Sequence, residues 1–140
     1  MAAERGMNLS TFGAYAAEHP EIDVELDTRL AARARKGDVV IESRLGGWIA
    51  HHDGLQSVKT WIDCDPRVRA SRVAGREGIS VAQALDENAT RQTVERERYL
   101  AVYGIDIEDL SIYDLVLDSG ELSPDEIADR IVAAVNHQPW

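Results

Sequence analysis

Val39-Val40-Ile41-Glu42-Ser43-Arg44-Leu45-Gly46-Gly47-Trp48 is the stretch that decides how the rest of the chain is read. A β-branched run ends on a carboxylate, then an arginine, then a glycine pair. In a parallel α/β sheet, ligands collect beyond the carboxyl ends of the strands. A strand over Val39–Glu42 therefore puts Glu42, Ser43 and Arg44 where the sheet hands over to a site. Alone, the same residues also describe a buried strand that ends in a turn with an exposed arginine.

On the N-terminal side, Ile22, Leu26, Leu30 and Ala34 recur at helical spacing, with Asp23, Asp27 and Arg33 largely off the stripe. Lys36-Gly37-Asp38 stops this helix and turns into the strand. An earlier helix is predicted from Asn8 or Ser10 to about Glu18, ended by His19-Pro20. Met1 to Gly6 resembles the end of a further helix closed by Gly6.

On the C-terminal side, Trp48-Ile49-Ala50 leads to His51-His52-Asp53-Gly54. The histidine pair invites a metal reading. Adjacent residues share neither a helix face nor a strand face, so a solvated turn fits better. Val58–Cys64 is predicted as the second strand. Asp65-Pro66 starts a helix as N-cap and first helical residue, with Val68 and Val73 inside and Arg67, Arg69, Arg72 and Arg76 elsewhere. Ser80-Val81-Ala82-Gln83 fits a capping box for a long helix to about Tyr103, closed by Gly104. Leu115–Asp118 is a third strand. Ser123-Pro124-Asp125-Glu126 is a second capping box, opening a helix whose Ile127, Ile131 and Val135 share a face. Strands alternating with amphipathic helices predict one α/β domain with a parallel sheet.

On the long helix, Arg91, Glu95 and Arg98 fall at i, i+4 and i+7 and share a face, with Arg96 off to the side. Such a face is commonly a solvated one laced by Arg–Glu pairs, each contributing about 0.3–0.5 kcal/mol. It is also what a clamp for phosphate oxygens needs.

Composition narrows the choice. The 140 residues carry a formal net charge of −10, and the pI is about 4.8. That balance argues against duplex DNA or an anionic membrane as the main partner. Lys36 and Lys59 are the only lysines, so arginine supplies nearly all the positive charge. Cys64 is the only cysteine, which excludes an internal disulfide and a cysteine-rich metal site. No apolar run reaches membrane-spanning length, and Met1–Arg5 lacks a signal-peptide core, so a cytoplasmic location is expected.

The order of motifs resembles the short, archaeal-type cytidylate kinases among the nucleoside monophosphate kinases. The resemblance is carried by Glu21-Ile22-Asp23 with Leu26-Asp27-Thr28-Arg29, by Val40–Leu45 with Gly47-Trp48, and by Trp61-Ile62-Asp63. It continues through Arg72–Val81, Arg91–Tyr99, Tyr103-Gly104-Ile105-Asp106-Ile107 and Leu110-Ser111-Ile112-Tyr113-Asp114-Leu115, and covers essentially the whole chain.

This resemblance implies a three-layer, P-loop NTPase-like parallel sheet and a (d)CMP kinase that uses ATP and Mg²⁺. It implies substrate-binding helices over 1–38, core over 39–76, a lid region over 77–104 and core again over 105–140. A monomer is expected, with no nucleic-acid or membrane partner. Arg91, Arg96 and Arg98 match the lid arginines. Arg44 matches a nucleotide contact. Glu95 stands where bacterial relatives carry an aspartate. Arg29 and Asp63 are further substrate-side candidates, and Arg76 lies near the lid entrance. No metal ligand is assigned. Adenylate-type or shikimate-type kinases share the architecture and the arginine lid, and are the runner-up enzymes. A P-loop-less nucleotide-binding module and an inactive fragment are the non-enzymatic alternatives.

One departure is plain. The family opens with a strand, a G-x-x-G-x-G-K-[ST] loop and a helix, but the 140 residues contain no Gly-Lys-Ser or Gly-Lys-Thr. The shortfall corresponds to roughly 30–40 residues, one strand–loop–helix unit and a short strand. The expectation is a start at an internal methionine or a truncation. It should open the sheet between Val39–Glu42 and Val58–Cys64, or force those strands to pair directly.

Overall fold

A computed structural model of the chain describes Glu4, Gly6, Tyr15 and residues 19–139. The chain divides into two compact units, Met1–Gly46 and Gly47–Trp140.

In the first unit, α1 spans Pro20–Ala34. Proline at its first position and Glu21 and Asp23 in its first turn suit the positive end of the helix dipole. Arg33 closes the other end by donating to the Gly37 carbonyl at 2.9 Å and the Asp38 carbonyl at 3.3 Å. Gly37 (φ 71°) and Asp38 (φ 47°) then turn the chain through left-handed backbone. Of the expected apolar stripe, Ile22 is 1% exposed but Leu26 is 42% exposed. Gly6 has the positive φ (65°) expected of a closing glycine. Of the expected helix from Asn8 or Ser10 to Glu18, Tyr15 is helical and the rest lies outside the described residues.

The strand expected over Val39–Glu42 is not formed. Residues 39–43 are irregular, and Val40 is 98% exposed. The sequence pattern was suited to a strand, but a strand exists only through a ladder partner, and none pairs with this segment among the described residues. Of the two expected outcomes for the sheet, direct pairing of Val39–Glu42 with Val58–Cys64 does not occur.

Helix α2 spans Gly46–His52, and the second unit takes it up from Gly47. The expected turn at His51-His52 is thus corrected: both histidines sit in the last turn of a helix. Gly47 is required by packing. A Cβ there would lie 2.5 Å from Tyr113 Cε1.

β1 (Thr60–Asp63) and β2 (Leu115–Asp118) form a parallel pair with Thr60 opposite Leu115 and Asp63 opposite Asp118. β2 has the predicted bounds, while β1 is shorter than predicted. The start of the ladder is pinned by Asp114, which accepts the Lys59 backbone N–H at 2.7 Å and meets its ammonium at 3.0 Å. Burial pushes the Asp114 carboxyl up, but its bonds to Lys59 outweigh this and hold it below the ordinary range.

A parallel pair needs a long crossover, and two helices fill it. α3 (Pro66–Glu77) is capped as predicted. Asp65 accepts the Arg67 and Val68 N–H groups at 2.8 and 3.3 Å, and Gly78 closes the helix at φ 71°. Of the two valines expected inside, Val73 packs against the buried cluster of Ala70, Ala74 and Ala84, while Val68 is exposed. Small side chains let α3 lie close against α4, and the valine at 68 is left at the margin.

α4 spans Val81–Tyr103, closed by Gly104 at φ 67°. Ser80 accepts the Gln83 N–H at 3.1 Å, but the Gln83 side chain turns to Glu87, so only half of the expected box forms. α5 (Pro124–Asn136) has the full box. Its Ile127 is buried, whereas Val135 on the same stripe is exposed.

Candidate functional site

The site is built mainly on α4. Its inward stripe is Ala84, Leu85, Asn88, Gln92, Glu95, Tyr99 and Tyr103, all buried or half-buried. At 3.6 residues per turn, Arg91 and Arg98 lie along one edge of this stripe, about 20° apart around the axis. Arg96 lies roughly 140° from Arg91, on the opposite edge.

On the first edge, Arg91 Nε donates to Glu95 at 3.0 Å, and the Arg91 side chain is 77% exposed. Glu95 is largely covered. The Arg98 guanidinium lies over the Tyr99 ring, 5.0 Å from its centroid, and donates to the Tyr99 hydroxyl at 3.3 Å. Tyr99 is buried and stacks with Tyr103 at 6.5 Å. Arg91, Glu95 and Arg98 thus lie on the face that their spacing predicts.

The second edge was not visible in that spacing. Arg96 donates from Nε and Nη2 to the two oxygens of Asp106, at 3.0 and 2.7 Å, and from Nη1 to Glu108. Asp106 also accepts the Glu108 backbone N–H at 3.0 Å. The Arg96 hydrogen bond holds the Asp106 carboxyl below its usual range, helped by the Glu108 N–H. Reciprocally, Asp106 raises the Arg96 guanidinium. Gln92 extends the network, donating to Glu108 at 3.3 Å and accepting from Arg69 of α3 at 3.0 Å. Asp106 and Glu108 were missed because they lie beyond the helix end, where helical spacing says nothing about partners. The only sequence signal was the carboxylate two residues after the closing glycine.

The remaining candidates lie on other elements. Asp63 is exposed at the carboxyl end of β1, in register with Asp118. Arg72, not singled out for the site, crosses the exits of both strands. It donates to the Ser119 carbonyl at 2.6 Å and hydroxyl at 3.1 Å, and lies 3.7 Å from Cys64 Sγ. Arg76 is exposed and paired with Glu77 at 2.8 Å. In the first unit, Arg44 is exposed at the bend before α2. Arg29 is held by Glu4 and Glu25, each at 2.8 Å.

Among the described residues, no group of three or more His, Cys, Asp or Glu side chains gathers to hold a metal ion. No helix among them is long and apolar enough to cross a membrane.

Residues 3–121 match the cytidylate kinase-like family. Over 137 residues the chain is 50% identical to the cytidylate kinase of Pyrococcus abyssi, covering 98% of this chain and 74% of that relative. It is equally identical to the cytidylate kinase of Pyrococcus horikoshii, of which it covers 70%. The cytidylate kinase of Methanopyrus kandleri is 43% identical over 143 residues, covering 97% of this chain and 74% of the relative. With a family match across most of its length and half its residues shared with such relatives, this mixed α/β chain belongs to the cytidylate kinase-like family.

Proposed function

We propose that this protein transfers the terminal phosphoryl group of ATP to CMP or dCMP, giving CDP or dCDP, in the cytoplasm and as a monomer. The observation that carries the reading is the Arg91–Glu95–Arg98 edge of α4 in a chain half identical to proteins named cytidylate kinase. An acceptor phosphate oxygen attacks the terminal phosphorus and ADP leaves. Charge spreads over three oxygens in the transition state, so catalysis is mostly positioning and neutralisation. Forked guanidiniums suit that task, and an arginine-rich helix in an acidic protein concentrates them locally.

In this reading Arg91 and Arg98 clamp the phosphates and exclude water. Glu95, held by Arg91, faces the sugar or base. Arg44 contacts the nucleotide, with Arg29 and Asp63 as further substrate-side groups and Arg76 at the lid entrance. The fold is then of the three-layer P-loop NTPase type. Residues 1–38 bind the monophosphate, 39–76 and 105–140 supply the core, and 77–104 form the lid. Mg²⁺ would neutralise the ATP phosphates when bound. These residues do not compose a site for it: the 140 residues carry no Gly-Lys-Ser or Gly-Lys-Thr, and the described carboxylates do not cluster.

The test is ADP release by the full-length protein with ATP, Mg²⁺ and, in turn, CMP, dCMP, UMP, AMP and shikimate. CMP and dCMP should be the fastest acceptors. Faster turnover of UMP, AMP or shikimate would overturn the assignment. In the same assay Arg98→Ala should lower kcat/KM by roughly 10²-fold or more, as for loss of a transition-state charge clamp. Unchanged turnover would return α4 to an ordinary surface helix.

A further inference from the structure

The three α4 arginines do not share an edge, and they are not held alike. Arg91 engages one carboxylate through Nε alone among the described residues and extends into solvent. Arg96 commits all three guanidinium nitrogens, two to Asp106 and one to Glu108. To meet a phosphate beside Arg91 and Arg98 it would have to break those bonds and cross the buried stripe. Two carboxylates on one guanidinium also leave that spot net negative, which repels phosphate.

What the cluster does well is hold backbone. Ile105 and Ile107 are buried on either side of Asp106, so the turn after α4 is anchored in the second unit. Gly104 N donates to the Leu100 carbonyl at 3.0 Å, and Ile105 N to the Tyr99 carbonyl at 3.3 Å, closing the helix onto that turn. The Arg96–Asp106 fork fastens the helix to the turn a second time, from the side. Through Gln92 the fastening reaches Arg69 on α3. The last turns of α4 are thus tied at their end and at one edge. Arg98 and Tyr99 lie within those turns, with Arg98 presented on the other edge.

We infer that Asp106 and Glu108 are positioning residues for phosphoryl transfer, acting through Arg96 to set the orientation of the Arg91–Glu95–Arg98 edge. Arg96 itself is a clasp and touches no phosphate. The inference rests on the CMP-kinase reading above. It differs from it in assigning the lid arginines to two tasks: Arg91 and Arg98 bind, while Arg96 holds the element that carries them.

The experiment is calorimetric titration of CMP into the full-length wild type, Arg96→Ala, Asp106→Asn and the double variant. Each single substitution should weaken Kd by roughly tenfold. The double should be no weaker than Arg96→Ala alone, because Asp106 acts through Arg96. Asp106→Glu, which keeps the carboxylate, should recover most of the affinity. Stoichiometry should stay unchanged throughout. If Asp106→Asn binds as well as or better than wild type while Arg96→Ala binds worse, Arg96 itself contacts the nucleotide and the inference falls. It falls also if the two effects add, if no variant differs from wild type, or if binding stoichiometry drops at constant Kd, the mark of a merely structural loss. A wild type that does not bind CMP takes down the substrate reading and this inference with it, and is distinguishable from every other outcome.

Discussion

Val39–Glu42 and Leu115–Asp118 are four-residue runs of similar kind, each apolar and ending on a carboxylate. One is a strand and the other is not. Leu115–Asp118 lies in register against Thr60–Asp63, and its Leu117 is 6% exposed. Val39–Glu42 has no ladder partner among the described residues, and Val40 faces solvent. β-propensity describes fitness for a pleated, half-buried surface; it does not create one. The neighbour decides, and the neighbour is remote in sequence.

The contrast can be broken most directly by removing side-chain volume from each run. Leu117→Ala should destabilise the protein by about 2–5 kcal/mol, through lost burial and the cavity left behind. Val40→Ala should change stability by less than about 0.5 kcal/mol, as for an exposed site. Denaturant midpoints at constant slope measure both. A loss of about 1 kcal/mol or more for Val40→Ala would mean that the 39–42 run is buried in the folded protein, and the contrast would vanish.

The next effect concerns the segments that flank the two runs. Gly47 lies just after the first run and Tyr113 just before the second, and the ring of Tyr113 occupies the space a side chain at 47 would need. That ring packs against Trp61 at 5.5 Å, so it cannot simply swing away. Gly47→Ala should therefore cost about 1–3 kcal/mol by overpacking. A thermal midpoint equal to wild type would show that the Tyr113 ring yields freely. The contact also gives a physical reason why Gly47-Trp48 and Ser111-Ile112-Tyr113-Asp114, separate motifs in the chain, belong to one arrangement.

Most of the second unit was legible in the sequence because its signals are local. Asp65, Ser80 and Ser123 cap the predicted helices, and Gly78 and Gly104 close them. The bounds of β2 came directly from its apolar run. Failures came where the answer depends on distant residues. Val68 and Val73 were both expected inside α3; Val73 packs against the Ala70–Ala74–Ala84 cluster, but Val68 is left at its margin. His51-His52 suggested a turn, yet α2 carries both. At the candidate site, i, i+4, i+7 spacing found the Arg91–Glu95–Arg98 edge. It could not find Asp106 and Glu108, ten and twelve residues beyond Arg96. Nor could spacing alone supply the substrate, which came from resemblance to relatives.

The smallest difference lies in how each run hands over to its next element. After β2, Ser123 and Glu126 form a reciprocal capping box, with the Ser123 N–H donating to Glu126 at 2.8 Å and the Glu126 N–H to the Ser123 hydroxyl at 3.3 Å. After the 39–42 run, Ser43 accepts only the Leu45 N–H at 3.2 Å among the described residues. Ser123→Ala should cost about 1 kcal/mol and Ser43→Ala less. The box also carries a pH signature. The Ser123 backbone N–H, and then its hydroxyl, hold the Glu126 carboxyl below its ordinary value. A lowered folded-state pKa stabilises fully above the unfolded value, roughly 4.3 for glutamate, and the gain is lost as pH falls through the folded value. Wild type and Glu126→Gln should therefore differ in thermal midpoint at neutral pH and converge in acid below about pH 4. For Ser43→Ala the difference from wild type should not depend on pH across that range, because no carboxylate among the described residues answers the hydroxyl there. A Glu126→Gln difference that persists undiminished into acid would mean that the box stabilises through packing of the side chain and not through its charge.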